Sequence, residues 1–188
     1  MSPDAHSGPF DDSELGPFAG DRGKLDRLFV ATYEELRRLA ATIRQDDPGA
    51  TLTPTALVHE AWLKLANSLS IAPTSRLHFK RIAARAMRQV LVEAARRRKA
   101  EKRGGDVAMV TFDENAFHPS TSADELLLLD AALDDLARVN ARQAVMVESR
   151  FFGGLDVAET AQLLQVSEAT VLRDWRAAKA WLSSELRG

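Results

Sequence analysis

Arginine dominates the side chains able to do chemistry in this chain. Arg96, Arg97 and Arg98 stand in a row with Lys99, and Arg81, Arg85 and Arg88 precede them at steps of four and three. A planar guanidinium donates two parallel hydrogen bonds to one phosphate, so such a series suits a nucleic-acid backbone. Between Arg76 and Arg103, eleven Lys and Arg meet only Glu93 and Glu101. Between Gly104 and Glu148, nine Asp and Glu meet only Arg138 and Arg142. The formal net charge of −2 therefore hides a basic block followed by an acidic one. Such asymmetry points to nucleic-acid contact at the basic part. The ordinary alternative is a solvated basic face, and the density of the cluster weighs against it.

Catalysis has no comparable set of residues. His6, His59, His78 and His118 are scattered, and there is no cysteine. No nucleophile stands beside a base, no glycine loop cradles phosphate, and no ligands cluster. An enzyme, a metal site and a cofactor are therefore not expected. His59-Glu60 lacks a second histidine four residues on, which excludes a zinc-protease helix. It reads as a surface polar pair unless a partner binds there. There is no basic-then-apolar leader and no apolar run of membrane length, so a cytoplasmic protein without membrane contact is expected.

Helices must position these residues. Asp156 to Arg176 reads as two helices around a tight turn. Asp156 with Glu159 forms a capping box, and Ser167 is the natural N-cap of the second helix. Val157, Ala161 and Leu164 share one face; Val171, Trp175, Ala178 and Leu182 share the other. This is the helix-turn-helix pattern, whose second helix enters the major groove. Gln165 occupies the turn, where glycine is common.

Upstream, residues 1–22 are rich in Pro, Gly, Ser and Asp and read as a disordered acidic tail. A first helix over 23–44 carries Leu25, Leu28, Phe29, Leu36, Leu39, Ala40 and Ile43 on one stripe. A second opens at Thr53-Pro54 and buries Leu57, Val58, Ala61, Trp62 and Leu65. A third over 75–99 carries Phe79, Ile82, Ala83, Ala86, Met87, Val90, Leu91 and Ala94. Gly104-Gly105 breaks the chain, and 104–121 lacks a period. Ser122 with Glu125 then caps a helix carrying Leu126, Leu129, Leu133 and Leu136. Asn140 with Gln143 starts another, carrying Ala144, Val147 and Phe151, which ends at Gly153-Gly154. The expected fold is all-α, with two small helical domains, 23–103 and 122–188, joined by a flexible linker at 104–121. The second contains the helix-turn-helix.

Three blocks in order resemble a known family: Leu57 to Leu65, Phe79 to Arg98, and Arg150 to Leu182. They look like the successive signatures of an extracytoplasmic-function (ECF) sigma factor, over residues 25–187. The string Leu52 to Glu60 resembles a subgroup with a Thr-rich segment in place of an acidic core-binding motif. The resemblance implies a non-enzymatic partner of core RNA polymerase that directs it to promoter DNA. It implies that the second helix, through Leu57, His59, Glu60 and Lys64, docks the clamp helices of the largest polymerase subunit. The third helix, with Arg85, Arg88, Arg96, Arg97 and Arg98, would hold and melt the minus-ten element. Phe79 or the loop from Ile71 to Leu77 is a candidate pocket for a flipped base. Ser167, Thr170, Leu172, Arg173, Arg176 and Lys179 would face the minus-thirty-five duplex.

Two departures from the family pattern matter. Leu172 stands where Lys or Arg is usual. Thr53, Thr55 and Ala56 stand where relatives carry an acidic run. Phosphothreonine would restore about −1.5 to −2 of charge, so Thr55, Thr53 and, further, Thr51 are candidate sites for a Ser/Thr kinase. An inhibitory partner is a further expectation. A stand-alone helix-turn-helix regulator with a signalling or dimerisation domain is the competing reading. It predicts duplex binding without polymerase.

Overall fold

The computed structural model describes residues 21–43, 52–68, 73–101 and 122–186. Seven helices and no strand occur among them, in the order α1 (Asp21–Ile43), α2 (Pro54–Ala66), α3 (Arg76–Glu101), α4 (Ala123–Val139), α5 (Ala141–Gly153), α6 (Val157–Leu164) and α7 (Glu168–Glu185). The fold is all-α, as the periodicities predict.

Local chemistry sets the helix ends. Thr53 accepts a hydrogen bond from the Ala56 amide at 3.1 Å, and Pro54 opens α2. Proline costs nothing there, because the first amides of a helix have no intrahelical partner. Ser122 and Glu125 complete a capping box on α4, and Asp156 and Glu159 complete one on α6. Asn140 caps α5 through the Gln143 amide. Gly154, at φ 65°, ends α5 in the left-handed conformation that favours glycine. The expected tail gives up its last two residues: Asp21 and Arg22 already belong to α1, while 1–20 lie outside the described residues. The expected linker also lies outside them.

The predicted stripes form the core. Leu25, Leu36, Leu39, Ala40 and Ile43 of α1 are buried, as are Leu57, Val58, Ala61 and Leu65 of α2. Phe29 stacks on Trp62 with ring centroids 4.4 Å apart. Phe79, Ala83 and Met87 of α3 close this side.

Helix α3 buries a second side as well. Ala84, Leu91, Val92 and Ala95 are at most 5% exposed, although Ala84, Val92 and Ala95 fall off the single stripe read from the sequence. This side meets α4 and α5. A Cβ placed on Gly153 would lie 3.0 Å from the Ala84 Cβ and 3.2 Å from the Lys80 carbonyl oxygen, so α5 crosses α3 very closely. One apolar core thus continues from the first three helices into the last four.

Candidate nucleic-acid and polymerase faces

Helix α6, a short turn and α7 make the most tightly specified local unit. Gln165 adopts φ 54°, ψ 45°, the only positive φ among the described non-glycine residues. The Val166 amide donates to Ala161 at 3.0 Å, closing a Schellman-type turn. Glutamine here does what glycine does at lower conformational cost. Ser167 then caps α7 through the Thr170 amide, and the two hydroxyl oxygens stand 2.9 Å apart.

Helix α7 divides cleanly. Val171, Asp174, Ala178 and Leu182 are buried. Arg142 of α5 donates to the Asp174 carboxylate at 2.6 Å. The Arg150 guanidinium lies 4.3 Å from the centre of the Trp175 ring. Burial pushes the Arg150 pKa down, against the opposing pull of Asp156. These contacts fix α7 on α5 by its inner side. Its outer side carries Leu172, Arg173 and Arg176, all exposed, with Thr170 and Lys179 at the margin.

The second candidate face lies on α2. His59 and Glu60 are exposed, and the His59 ring sits 5.8 Å from that of Tyr33. Lys64 Nζ donates to Glu93 of α3 at 2.8 Å. Leu57 is a correction: it is fully buried and cannot touch a partner. The reason is its register, since 57, 58, 61 and 65 form the inward side of α2. Leu63 was missed. It is 50% exposed beside Glu60, and its absence from that inward set was the available signal.

The third face is basic. An open groove bounded by α2, α3 and the α5 residues Val145 and Glu148 is lined by Lys64, Arg81, Arg85 and Arg97, with Glu60, Glu93 and Glu148 among them. Arg81, Arg85 and Arg97 are exposed there. Phe79 is a second correction: it is 0% exposed, so it offers no stacking surface. Its place on the inward stripe with Ala83 and Met87 explains this.

Arg88 is not among the residues that line the groove, although its partner Glu148 is. Its Nε donates to Asp130 Oδ1 at 2.8 Å, its Nη1 to Glu148 at 2.9 Å, and its Nη2 to Asp134 at 2.6 Å and to the Asp130 carbonyl at 2.8 Å. Burial alone would lower its pKa, but Glu148, Asp134 and Asp130 outweigh that and raise it. Arg96 reaches Asp130 at 3.3 Å. Of the expected phosphorylation sites, Thr55 is exposed in the first turn of α2, Thr53 serves as its cap, and Thr51 lies outside the described residues.

Exposed arginines on an all-helical frame are the features that a nucleic-acid-binding protein needs. A family model described as ECF sigma factor matches residues 18–188. The chain belongs to that family: it is an alternative sigma factor, which directs transcription initiation. ECF sigma factors are DNA-binding initiation factors and not enzymes, and they bind core RNA polymerase and promoter DNA. Comparison with curated proteins and with solved structures returned no match. No helix among the described residues is long and apolar enough to cross a membrane.

Proposed function

We propose a division of labour within this sigma factor. Helix α2 docks core polymerase through His59, Glu60 and Leu63, with Lys64 at its edge. The groove beside α3 receives the minus-ten element through Arg81, Arg85 and Arg97. Helix α7 reads the minus-thirty-five duplex through Thr170, Arg173 and Arg176, with Ser167 and Lys179 on flanking phosphates. The carrying observation is the two-sided α7, whose inner side is buried while Arg173 and Arg176 are free to reach base edges. Leu172 is 42% exposed beside them and suits contact with a thymine methyl group.

Run-off transcription with core polymerase on a cognate promoter tests this. Arg173→Ala and Arg176→Ala should each reduce initiation in a promoter-sequence-dependent way. Equal loss on every template would remove α7 from the reading role.

We further propose that Thr55 is a phosphorylation site that strengthens polymerase docking. It is exposed, the first turn of α2 contains no acidic residue, and helix N-termini favour anions. Thr53 is less suited because its hydroxyl already caps the helix. Thr55→Glu should tighten binding to core polymerase relative to Thr55→Val. Equal affinities for the two variants would dismiss the site.

A further inference from the structure

Asp174 is an acid within the helix proposed to meet DNA, whose phosphates repel carboxylates. Adjacent residues on a helix point about 100° apart, so Asp174 turns inward while Arg173 turns out. The Asp174 side chain is 11% exposed and that of Arg173 is 73% exposed. One carboxylate nevertheless faces two arginines. Arg142, in the first turn of α5, donates from Nη2 to Asp174 Oδ2 at 2.6 Å. Arg173 Nε stands 3.9 Å from the other oxygen, Oδ1, beyond hydrogen-bond range.

A carboxylate this little exposed needs a cation. Removing one partner of a buried ion pair leaves an uncompensated charge, which costs far more than breaking a surface pair. Arg173 is placed to supply the replacement. An inward move of about 1 Å brings its Nε to the 2.7–2.9 Å of a charge-assisted hydrogen bond. That move turns the guanidinium away from the groove of the duplex. Bidentate contact with a base edge needs the planar fork held in one direction, so an Arg173 captured by Asp174 reads poorly.

We infer that Arg142 of α5 determines promoter specificity from outside the helix-turn-helix: it occupies the Asp174 carboxylate and so leaves Arg173 turned outward. The premise is the reading role proposed for α7. Arg142 touches no base here; it is a positioning residue that acts through Asp174. The seat of α7 has other supports. Val171, Ala178 and Leu182 are buried, and the Arg150 guanidinium lies 4.3 Å from the centre of the Trp175 ring. The Arg142 side chain is 47% exposed, so its loss leaves no cavity in the core. Removing Arg142 should therefore leave α7 in place and change what Arg173 does. Removing the Asp174 charge as well should release Arg173 again.

The test uses the full chain assembled with core polymerase. A cognate promoter competes with its single-base-pair variants across the minus-thirty-five element. Arg173→Ala first locates the base pair at which discrimination falls. At that pair, Arg142→Met should lower discrimination at least fivefold, against less than twofold at the others. Arg142→Met/Asp174→Asn should return it to within twofold of the parent. Asp174→Asn alone should also stay within twofold, because nothing then draws Arg173 inward. Arg142→Lys keeps a cation for the carboxylate and should lose less than threefold. Equal loss at every position would make Arg142 a mechanical support for α7 and overturn the inference. A double variant no better than Arg142→Met would overturn it too. Circular dichroism monitors folding. If Arg142→Met loses helix, Arg142→Gln replaces it; at least a twofold loss confined to the same pair is then expected, and no loss overturns the idea. A flat profile for Arg173→Ala would sink the reading role of α7 and this inference with it. An Arg173-dependent pair that Arg142→Met leaves untouched would overturn the inference alone.

Discussion

Arg88 and Arg173 carry the same guanidinium to opposite ends. Arg173 is 73% exposed at the side chain and contacts its neighbour Asp174 only at 3.9 Å, so it can exchange water for a base edge at little desolvation cost. Arg88 has already made that exchange with Asp130, Asp134 and Glu148. The first is thus the proposed reader, and the second is engaged within the fold. Arg173→Ala should cost about 1–3 kcal/mol of discrimination at one preferred base pair if its contact is bidentate. Competition binding of holoenzyme to single-position promoter variants measures this. Gln165 gives a second residue-scale prediction. A non-glycine residue in the left-handed region costs about 1–2 kcal/mol, part of which glycine returns through a more flexible unfolded chain. Gln165→Gly should raise unfolding free energy by about 0.5–1 kcal/mol, measured by urea titration, with α6 and α7 unmoved.

Among the elements, α2 separates a core-facing side from the side proposed to dock polymerase. Its inward side holds Leu57, Val58, Ala61 and Leu65, and its outward side holds His59, Glu60 and Leu63. His59→Ala/Glu60→Ala/Leu63→Ala should weaken core-polymerase association at least tenfold and leave helical content unchanged. Leu57→Ala should do the reverse in kind. Removing a fully buried leucine costs about 2–5 kcal/mol of stability, seen as a lower thermal midpoint. Any loss of docking should then follow the loss of fold. Retained docking by the outward triple variant would exclude this side of α2 from the polymerase interface.

For the whole molecule, the close crossing of α3 and α5 is the decisive contact. Gly153 allows the approach because hydrogen replaces a Cβ that would meet Ala84 and Lys80. Gly153→Val should destabilise the packing of α5 on α3 by about 1–3 kcal/mol through overpacking. Gly154→Ala, one residue on, should destabilise through backbone strain instead, since φ there is 65°. Urea titration gives both losses. X-ray scattering distinguishes them, because only Gly153→Val should raise the radius of gyration by forcing α5 away from α3.

Sequence periodicity and capping chemistry determined the helices and the first packing stripe of each. Ser122, Asn140, Asp156 and Ser167 mark N-termini because a short polar side chain satisfies amides that the helix leaves open. Leu126, Leu129, Leu133 and Leu136 announce one side of α4 because only that spacing aligns them. The family was legible for the same reason: its signatures are local strings in a fixed order. Partners across the chain were not legible. Local spacing marks Lys80, Arg88 and Lys99 as basic, but not which way they face or what they meet. For Leu57 and Phe79, the inward register decides against the binding role that motif position implies. The second buried side of α3 stayed hidden because alanines signal a close crossing only when the facing helix is known. Whether a charge is a free contact or half of an internal pair depends on residues forty to eighty positions away. Only tertiary packing brings Asp130, Glu148 and Glu159 to α3, and with them the low exposure that turns an arginine from a surface for DNA into a contact within the fold.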